Sequence, residues 1–532
     1  MWPDVHNASK LPAVFASANV PVSFMNGTND GDWDSKGPVS FGSSPRRSFT
    51  WRARGGMALA IVACASFTEQ SVAIAVPIDE PQVGGIGFSG PTTGDVAAVY
   101  WNPAALALVH GPQITVAGTL HLQETSVQGS DVAPGTGLSY APVRANDRNH
   151  PLTWPTGPGA FAGVAYDVGG DRFTLAVATY MPFVERTTYQ LPESTSGPTR
   201  YHRIQADLRN LALVPALAVR LAGDLRVGVA PGFLFSTGHL TFDGNTSADQ
   251  SADSDLHYDL SSGNSLGAAR FAVTLGAGLY YRRAAWEFGF SFSSRPWGGD
   301  INGAAVVGAG QDSVTTNAGT TAIPCAGHPD GKGCVFAEIA YKLPYIVTGA
   351  VTWHPVPGRT LTSITRILSF PGHDVVDIRL TGVDLATGGV PAHLSLYRGY
   401  GTVVDQRFRV DEWVTERLRI GVGVRIETAA VDAAEISAMA VDGLKFQPTA
   451  MVSYRPFKHF AFGAGYGFTW MIPVTTSSSV FNPNYASDCT ATGRDITAPA
   501  CQATAAGRAL PSGNGTYRRH AQSFSLSATA QF

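Results

Sequence analysis

The chain is short of charge, of cysteine and of long apolar runs. Only 14% of its 532 residues are charged, against about 25% in a typical soluble domain, so few ions are available to face water. The 37 Lys and Arg nearly cancel the 40 Asp and Glu, and without a clustered basic excess the footprint of a nucleic-acid binder is missing. No stretch reaches the ~18 consecutive apolar residues of a membrane-spanning helix, which excludes a helical membrane protein. The 5 cysteines show no Cys-x-x-Cys spacing and no accompanying histidine cluster, so zinc is not expected. No other metal and no cofactor is expected either. What is plentiful is aromatic residues, 10% of the chain, and glycine, 59 residues, with no Gly-X-Y period. That content excludes disorder over the whole chain. Short apolar segments separated by glycine point to β-structure.

Residues 1–75 read as a leader. The first 45 are polar and Gly/Ser/Pro-rich, either disordered or preceded by a start codon placed too early. Arg46, Arg47, Arg52 and Arg54 then lead into the apolar run from Met57 to Phe67, and Ala73-Ile74-Ala75 supplies a small-x-small exit. This order of charge, short apolar middle and small residues is that of a cleaved secretory signal. Two weaker alternatives are a lipoprotein box ending at Cys64 and a twin-arginine signal at Arg46-Arg47. Cleavage after Ala75 leaves two local cysteine pairs, Cys325 with Cys334 and Cys489 with Cys501. In an oxidising compartment these are expected as loop disulfides, free thiols being the alternative.

Beyond residue 112 the sequence alternates. Trp286, Phe288, Phe290 and Phe292 take every second position, with Glu287, Gly289, Ser291 and Ser293 between them. Phe460, Phe462, Tyr466, Phe468 and Trp470 face away from Gly463, Gly465 and Gly467. In 418–427, aliphatic residues alternate with Arg419, Gly421, Gly423, Arg425 and Glu427. Strand side chains alternate faces, so each segment has one apolar wall and one small or polar wall. A soluble sandwich would put many charges on the second wall. Here it carries Gly, Ala and Ser, which suits the lumen of a barrel whose apolar wall meets lipid. A closed sheet also leaves no backbone donor unpaired in hydrocarbon.

About fourteen such segments begin near Ile114, Ala160, Phe173, Leu208, Leu225, Ala269, Trp286, Tyr345, Thr360, Asp405, Leu418, Phe446, Phe460 and Ser523, with 373–381 and 393–400 ambiguous. The expected fold is therefore an all-β, antiparallel transmembrane barrel of about 14 strands over residues 112–532. Asp167-Val-Gly-Gly-Asp171 reads as a short periplasmic hairpin. The polar stretches 243–264, 311–333 and 477–516 are assigned to the extracellular side.

Between leader and barrel lies a Gly-rich segment, residues 76–111. Its Gly85-Ile-Gly87-Phe-Ser-Gly90 matches G-x-G-x-x-G formally, but Pro/Asp/Glu-rich sequence precedes it and Pro91 follows at once. The strand and helix that a dinucleotide site requires are absent from the pattern. Gly85, Gly87 and Gly90, then Asp95-Val-Ala-Ala, then Asn102-Pro103-Ala104-Ala105-Leu106 resemble instead the N-terminal hatch of the FadL/TodX family of outer-membrane transporters for long-chain fatty acids and hydrocarbons. Tyr180-Met-Pro182-Phe183 and residues 200–208 are similar to later family features. Phe524 to the terminal Phe532 resembles the signal by which outer-membrane barrels are recognised for assembly.

The resemblance implies a barrel plugged by a small hatch in its lumen, with Asn102, Pro103 and Ala104 as hatch residues, capture of ligand outside and lateral release into the membrane. It also implies a bacterial outer-membrane location, a hydrophobic small-molecule ligand, the lipid bilayer and the barrel-assembly machinery as partners, and a monomer. Pro103 fixes φ and withholds a donor, while Asn102 can hold a turn; an ordinary turn before a helix at 104–109 is the alternative. Arg419 and Arg425 are candidates for a ligand carboxylate, an internal pair with Glu427 being the other reading. Of Pro182, Pro215 and Pro231, which interrupt strand-like segments, Pro182 is the candidate lateral opening. Against transport stand a general porin or structural barrel, which the low charge disfavours, and a barrel phospholipase using His393 and Ser395, for which no third residue is evident. No enzymatic activity is expected.

Overall fold

The computed structural model describes residues 83–129, 143–146, 160–168, 172–189, 199, 202–244, 256–261, 271–297, 304–316, 335–370, 375–381, 393–477, 479 and 513–532. The expected leader and all five cysteines lie outside the described residues, as do 76–82 of the Gly-rich segment.

Fourteen strands form the wall: β1 (Gln113–Gly129), β2 (Phe161–Asp167), β3 (Phe173–Thr188), β4 (Gln205–Ala222), β5 (Leu225–Gly244), β6 (Phe271–Arg283), β7 (Trp286–Ser293), β8 (Tyr345–Val356), β9 (Arg359–Ser369), β10 (Thr402–Trp413), β11 (Leu418–Glu427), β12 (Lys445–Phe457), β13 (Phe460–Met471) and β14 (Gly515–Gln531). Each pairs antiparallel with its neighbours in chain order. β14 returns to β1, from Gln531 opposite Gln113 to Gly515 opposite Gly129, and closes the ring. Closure removes the sheet edge, which is what allows strands to cross hydrocarbon. Each alternating segment seen in the sequence corresponds to one of these strands.

The two ends differ. At one end the connections are short: Gly223 at φ +54° turns β4 into β5, and Gly358 at φ +85° turns β8 into β9. Val168 N–H donates to Phe173 O at 2.7 Å to close the expected β2–β3 hairpin. Both the start of β1 and the terminal Phe532 lie at this end, joined by Phe532 N–H donating to Pro112 O at 2.9 Å. The opposite end carries the long connections. There the two ambiguous segments become Val375–Thr381 and His393–Tyr397, which with Val335–Lys342 and Ala304–Thr316 build an accessory sheet rather than wall strands.

The alternation resolves as outward apolar, inward small. Trp286, Phe288, Phe290 and Phe292 are 40–48% exposed on the outer surface, whereas Ser291 is 7% exposed. Phe462, Phe468, Trp470, Ile420, Val422, Phe524 and Leu526 also face outward. A contiguous apolar belt of this extent on a water-soluble chain would drive aggregation, and on a barrel it is the lipid-facing surface.

Candidate functional site

The bore is filled from the short-turn end by residues 83–111. Gly84 and Gly85 adopt φ of +85° and +84°, a region open to glycine at little cost. A single helical turn α1 (Ala98–Trp101) and a 3-10 helix (Pro103–Leu108) follow. Asn102 separates them: its side-chain oxygen accepts from Ala104 N–H at 3.1 Å and caps the second helix. Pro103, next in line, has no N–H to leave unpaired there. Asn102, Pro103 and Ala104 thus form the capping turn of a short 3-10 helix, the ordinary reading set out for them above.

Asn102 is completely buried, and its amide donates to Pro91 O at 2.8 Å and to Leu279 O of β6 at 2.9 Å. Ser291 of β7 donates to Trp101 O at 2.7 Å, Ile86 N–H donates to the Ser525 hydroxyl of β14 at 2.8 Å, and the Thr92 and Thr352 hydroxyls meet at 2.7 Å on β8. Anchors on four strands around the ring fix the segment within the bore. The wall's glycines allow this approach: a Cβ on Gly278 would overlap Asn102, and one on Gly465 would overlap the Ile86 carbonyl. Within the segment, Ser89 donates to the Asp95 carboxylate at 2.6 Å. Burial pushes the Asp95 carboxyl above its ordinary range, opposed by that hydroxyl and by the Ala97 and Ala98 amides.

One side of the bore is charged. β10 presents Asp405, Arg407, Arg409 and Asp411 inward at every second position, with Val404, Phe408 and Val410 exposed outside. Arg407 binds Asp405 at 2.6 Å, and Arg425 binds the same carboxylate at 3.0 Å. Arg425 also pairs with Glu427, which meets Lys445 at 2.5 Å. Lower down, Arg409 reaches Asp411 at 3.1 Å and Arg419 joins the same acid. Burying such charges is tolerable only because each faces an opposite charge and further donors or acceptors. Both candidate arginines thus point into the bore and are already engaged with carboxylates, Arg425 with Glu427 and Asp405, Arg419 with Asp411.

The network grips the N-terminal segment. Arg409 donates to the Gly87 and Ser89 carbonyls, each at 3.3 Å. Arg419 lies over the Phe88 ring, 4.2 Å from its centre. Arg366 of β9, fully buried, donates to the Tyr100 hydroxyl at 3.0 Å and stacks over Trp101 at 4.9 Å; Arg407 approaches the same indole at 5.1 Å. A cavity opens beside this cluster, lined by Tyr100, Trp101, Tyr180, Ser291, Thr348 and Arg366. Sequence reasoning passed over Arg366 and the β10 charges, although Asp405-x-Arg407-x-Arg409-x-Asp411 has the strand period and was there to be read.

Pro182 is buried in β3 at an irregularity: the β3–β4 register shifts between Tyr180 and Phe183, and Asn210 of β4 donates its amide to Phe183 O at 2.9 Å. Among the described residues β2 pairs with β3 only as far as Phe161 opposite Tyr180. Pro215 and Pro231 lie opposite Val177 and Leu275 on their other neighbours, and between the two prolines the β4–β5 pairing lapses, from Leu213 opposite Phe233 to Leu217 opposite Val229. His393 lies in the accessory sheet and pairs with Asp377, a partner that the sequence did not reveal. Among the described residues no group of three His, Cys, Asp or Glu is arranged to hold a metal ion.

Comparison with known proteins agrees with this architecture. A FadL homologue from Pseudomonas aeruginosa superposes with a TM-score of 0.60 at 13% identity, covering 87% of this chain and 99% of its own. The toluene transporter TodX of Pseudomonas putida gives 0.54 at 12% identity, over 87% of this chain and 98% of its own. The toluene transporter TbuX of Ralstonia pickettii gives 0.51 at 12% identity, over 85% and 98%. At such identities the likeness is one of fold. No curated protein matches the sequence. The model of one family, described as outer membrane protein transport protein (OMPP1/FadL/TodX), matches residues 63–347, more than half of the chain. The chain, a closed 14-strand barrel with its N-terminal segment bound inside, belongs to that family of outer-membrane transport proteins.

Proposed function

We propose that the protein carries hydrophobic small molecules, long-chain fatty acids or hydrocarbons, across the bacterial outer membrane, with residues 83–111 acting as a hatch. The observation that carries this reading is Asn102: fully buried, it ties the segment to β6 while capping the 3-10 helix that fills the bore. A bore filled in this way passes no free stream of ions, which favours a gated carrier of scarce apolar cargo over a general porin.

Release is proposed to run sideways at Pro182. Support comes from the register shift beside it and from the end of described β2–β3 pairing at Tyr180. A proline in a ladder withholds a donor and weakens the seam locally. Toluene is the named cargo of two structural neighbours, and the family resemblance adds fatty acids, so both belong in the assay. Proteoliposomes holding the full chain should take up labelled oleate or toluene faster than empty vesicles; equal rates for both probes would remove the reading. Export through a cleaved signal and monomeric assembly belong to the same proposal.

A further inference from the structure

At the long-loop end the mouth of the barrel is crossed by one of its own loops. Residues 428–444 join β11 to β12, and Ile436 and Ala440 within them are completely buried. Near its own strands the loop is clamped: Asp442 accepts from Ala430 N–H at 2.6 Å and pairs with Lys445 at 2.6 Å. Three further holds come from elsewhere in the ring. The Tyr189 hydroxyl donates to Ala438 O at 2.8 Å, Arg203 Nη2 to the same oxygen at 3.3 Å, and Arg519 Nη1 to Val441 O at 2.8 Å. Tyr189 follows β3 and Arg203 precedes β4, far round the ring from β11 and β12, so the loop is strung across the bore. Its Ile436 and Val441 lie in one apolar cluster with Phe370, Tyr400, Val403 and Met471.

We propose that Tyr189, Arg203 and Arg519 form a head-group site at the outer mouth for cargo bearing a carboxylate or similar oxyanion. In the closed state the loop carbonyls of Ala438 and Val441 occupy that site in place of the ligand. The proposal rests on the transport reading above and adds to it an outer gate opened by cargo. A carboxylate meets a guanidinium with opposite charge and in bidentate geometry, so an acidic head competes with the neutral amide oxygens that the loop offers these donors. Opening takes the Ala438 and Val441 carbonyls away from these buried donors, and a carboxylate head supplies the replacement acceptor. The gate therefore moves by exchange, and the basin vacated by Ile436 and Val441 accepts the tail.

The test places a reporter under the loop. Ala440→Cys is made in the full chain, reconstituted in vesicles, and labelled with a polar maleimide; the rate of the unsubstituted chain is subtracted. Oleate should raise the labelling rate about tenfold, and headless hexadecane should not. Arg519→Gln loses the charge, so whatever its ligand-free rate, oleate should no longer raise it. Tyr189→Phe, a change of one hydroxyl, should raise the ligand-free rate about fivefold. Indifference to oleate, an equal response to hexadecane, or an undiminished response in Arg519→Gln would each overturn the proposal. Uptake measured on the same vesicles separates the two ideas: oleate uptake without a labelling response defeats the gate and leaves transport standing.

Discussion

The guanidinium of Arg419 lies 4.2 Å from the centre of the Phe88 ring, joining the wall of the barrel to the segment inside it. Asp411 orients that guanidinium, and Arg409 approaches the same ring at 5.9 Å. A partly buried cation–π contact of this kind contributes about 1 kcal/mol. Phe88→Leu keeps the apolar bulk and discards the ring face. The expected outcome is an intact, heat-modifiable barrel with a raised ion leak in planar bilayers, because the segment is held less firmly. A leak equal to that of the parent would show that Phe88 does not help to hold it.

Asn102→Ala removes the helix cap and two donors at once. The Pro91 and Leu279 carbonyls and the Ala104 N–H lose a partner in a buried place, at about 1–3 kcal/mol for each group left unsatisfied. Hydrogen exchange at residues 83–111 should accelerate by more than about tenfold, with β1 and β14 unaffected. Exchange that speeds up equally in the wall would point to general destabilisation instead.

The paired charges separate into buried and exposed classes. Asp405 serves both Arg407 and Arg425 and is fully buried, so Asp405→Asn takes a buried carboxylate from two cations at once and should lower stability by about 3 kcal/mol. Arg359 and Glu412 form a pair at the short-turn rim with nearly half of each side chain exposed. Arg359→Ala should cost less than about 1 kcal/mol there. Urea unfolding in lipid vesicles reads both, and comparable losses would contradict the assignment of the network.

Pro182→Val restores a backbone donor in β3 beside the register shift. If cargo leaves through this seam, uptake of the labelled probe should fall several-fold while the heat-modifiable band is retained. Uptake at the parental rate would move the exit elsewhere.

Much of the wall was legible because strand geometry is local. Alternate residues point to opposite faces whatever lies far away in the chain, so Trp286 to Ser293 announces its own outer and inner sides. The accessory strands were harder to read. Val375–Thr381 alternates like a wall strand, and only its pairing with Val335–Lys342 removes it from the ring. The glycines of the inner face were read as an empty lumen lining. In the structure several of them are close-contact positions, as Gly278 is for Asn102 and Gly465 for Ile86.

By itself, then, the sequence determined an alternating, charge-poor barrel, an apolar belt turned to lipid, and a Gly-rich segment with Asn102-Pro103-Ala104 ahead of the first strand. Tertiary structure decided which acid each buried arginine meets, that Arg419 and Arg409 close on Phe88, and that residues 428–444 turn inward across the mouth. The reason is one of range. Alternation is imposed within two residues by the backbone, whereas Arg409 and Gly87 are brought together over a sequence separation of 322 only when the ring closes.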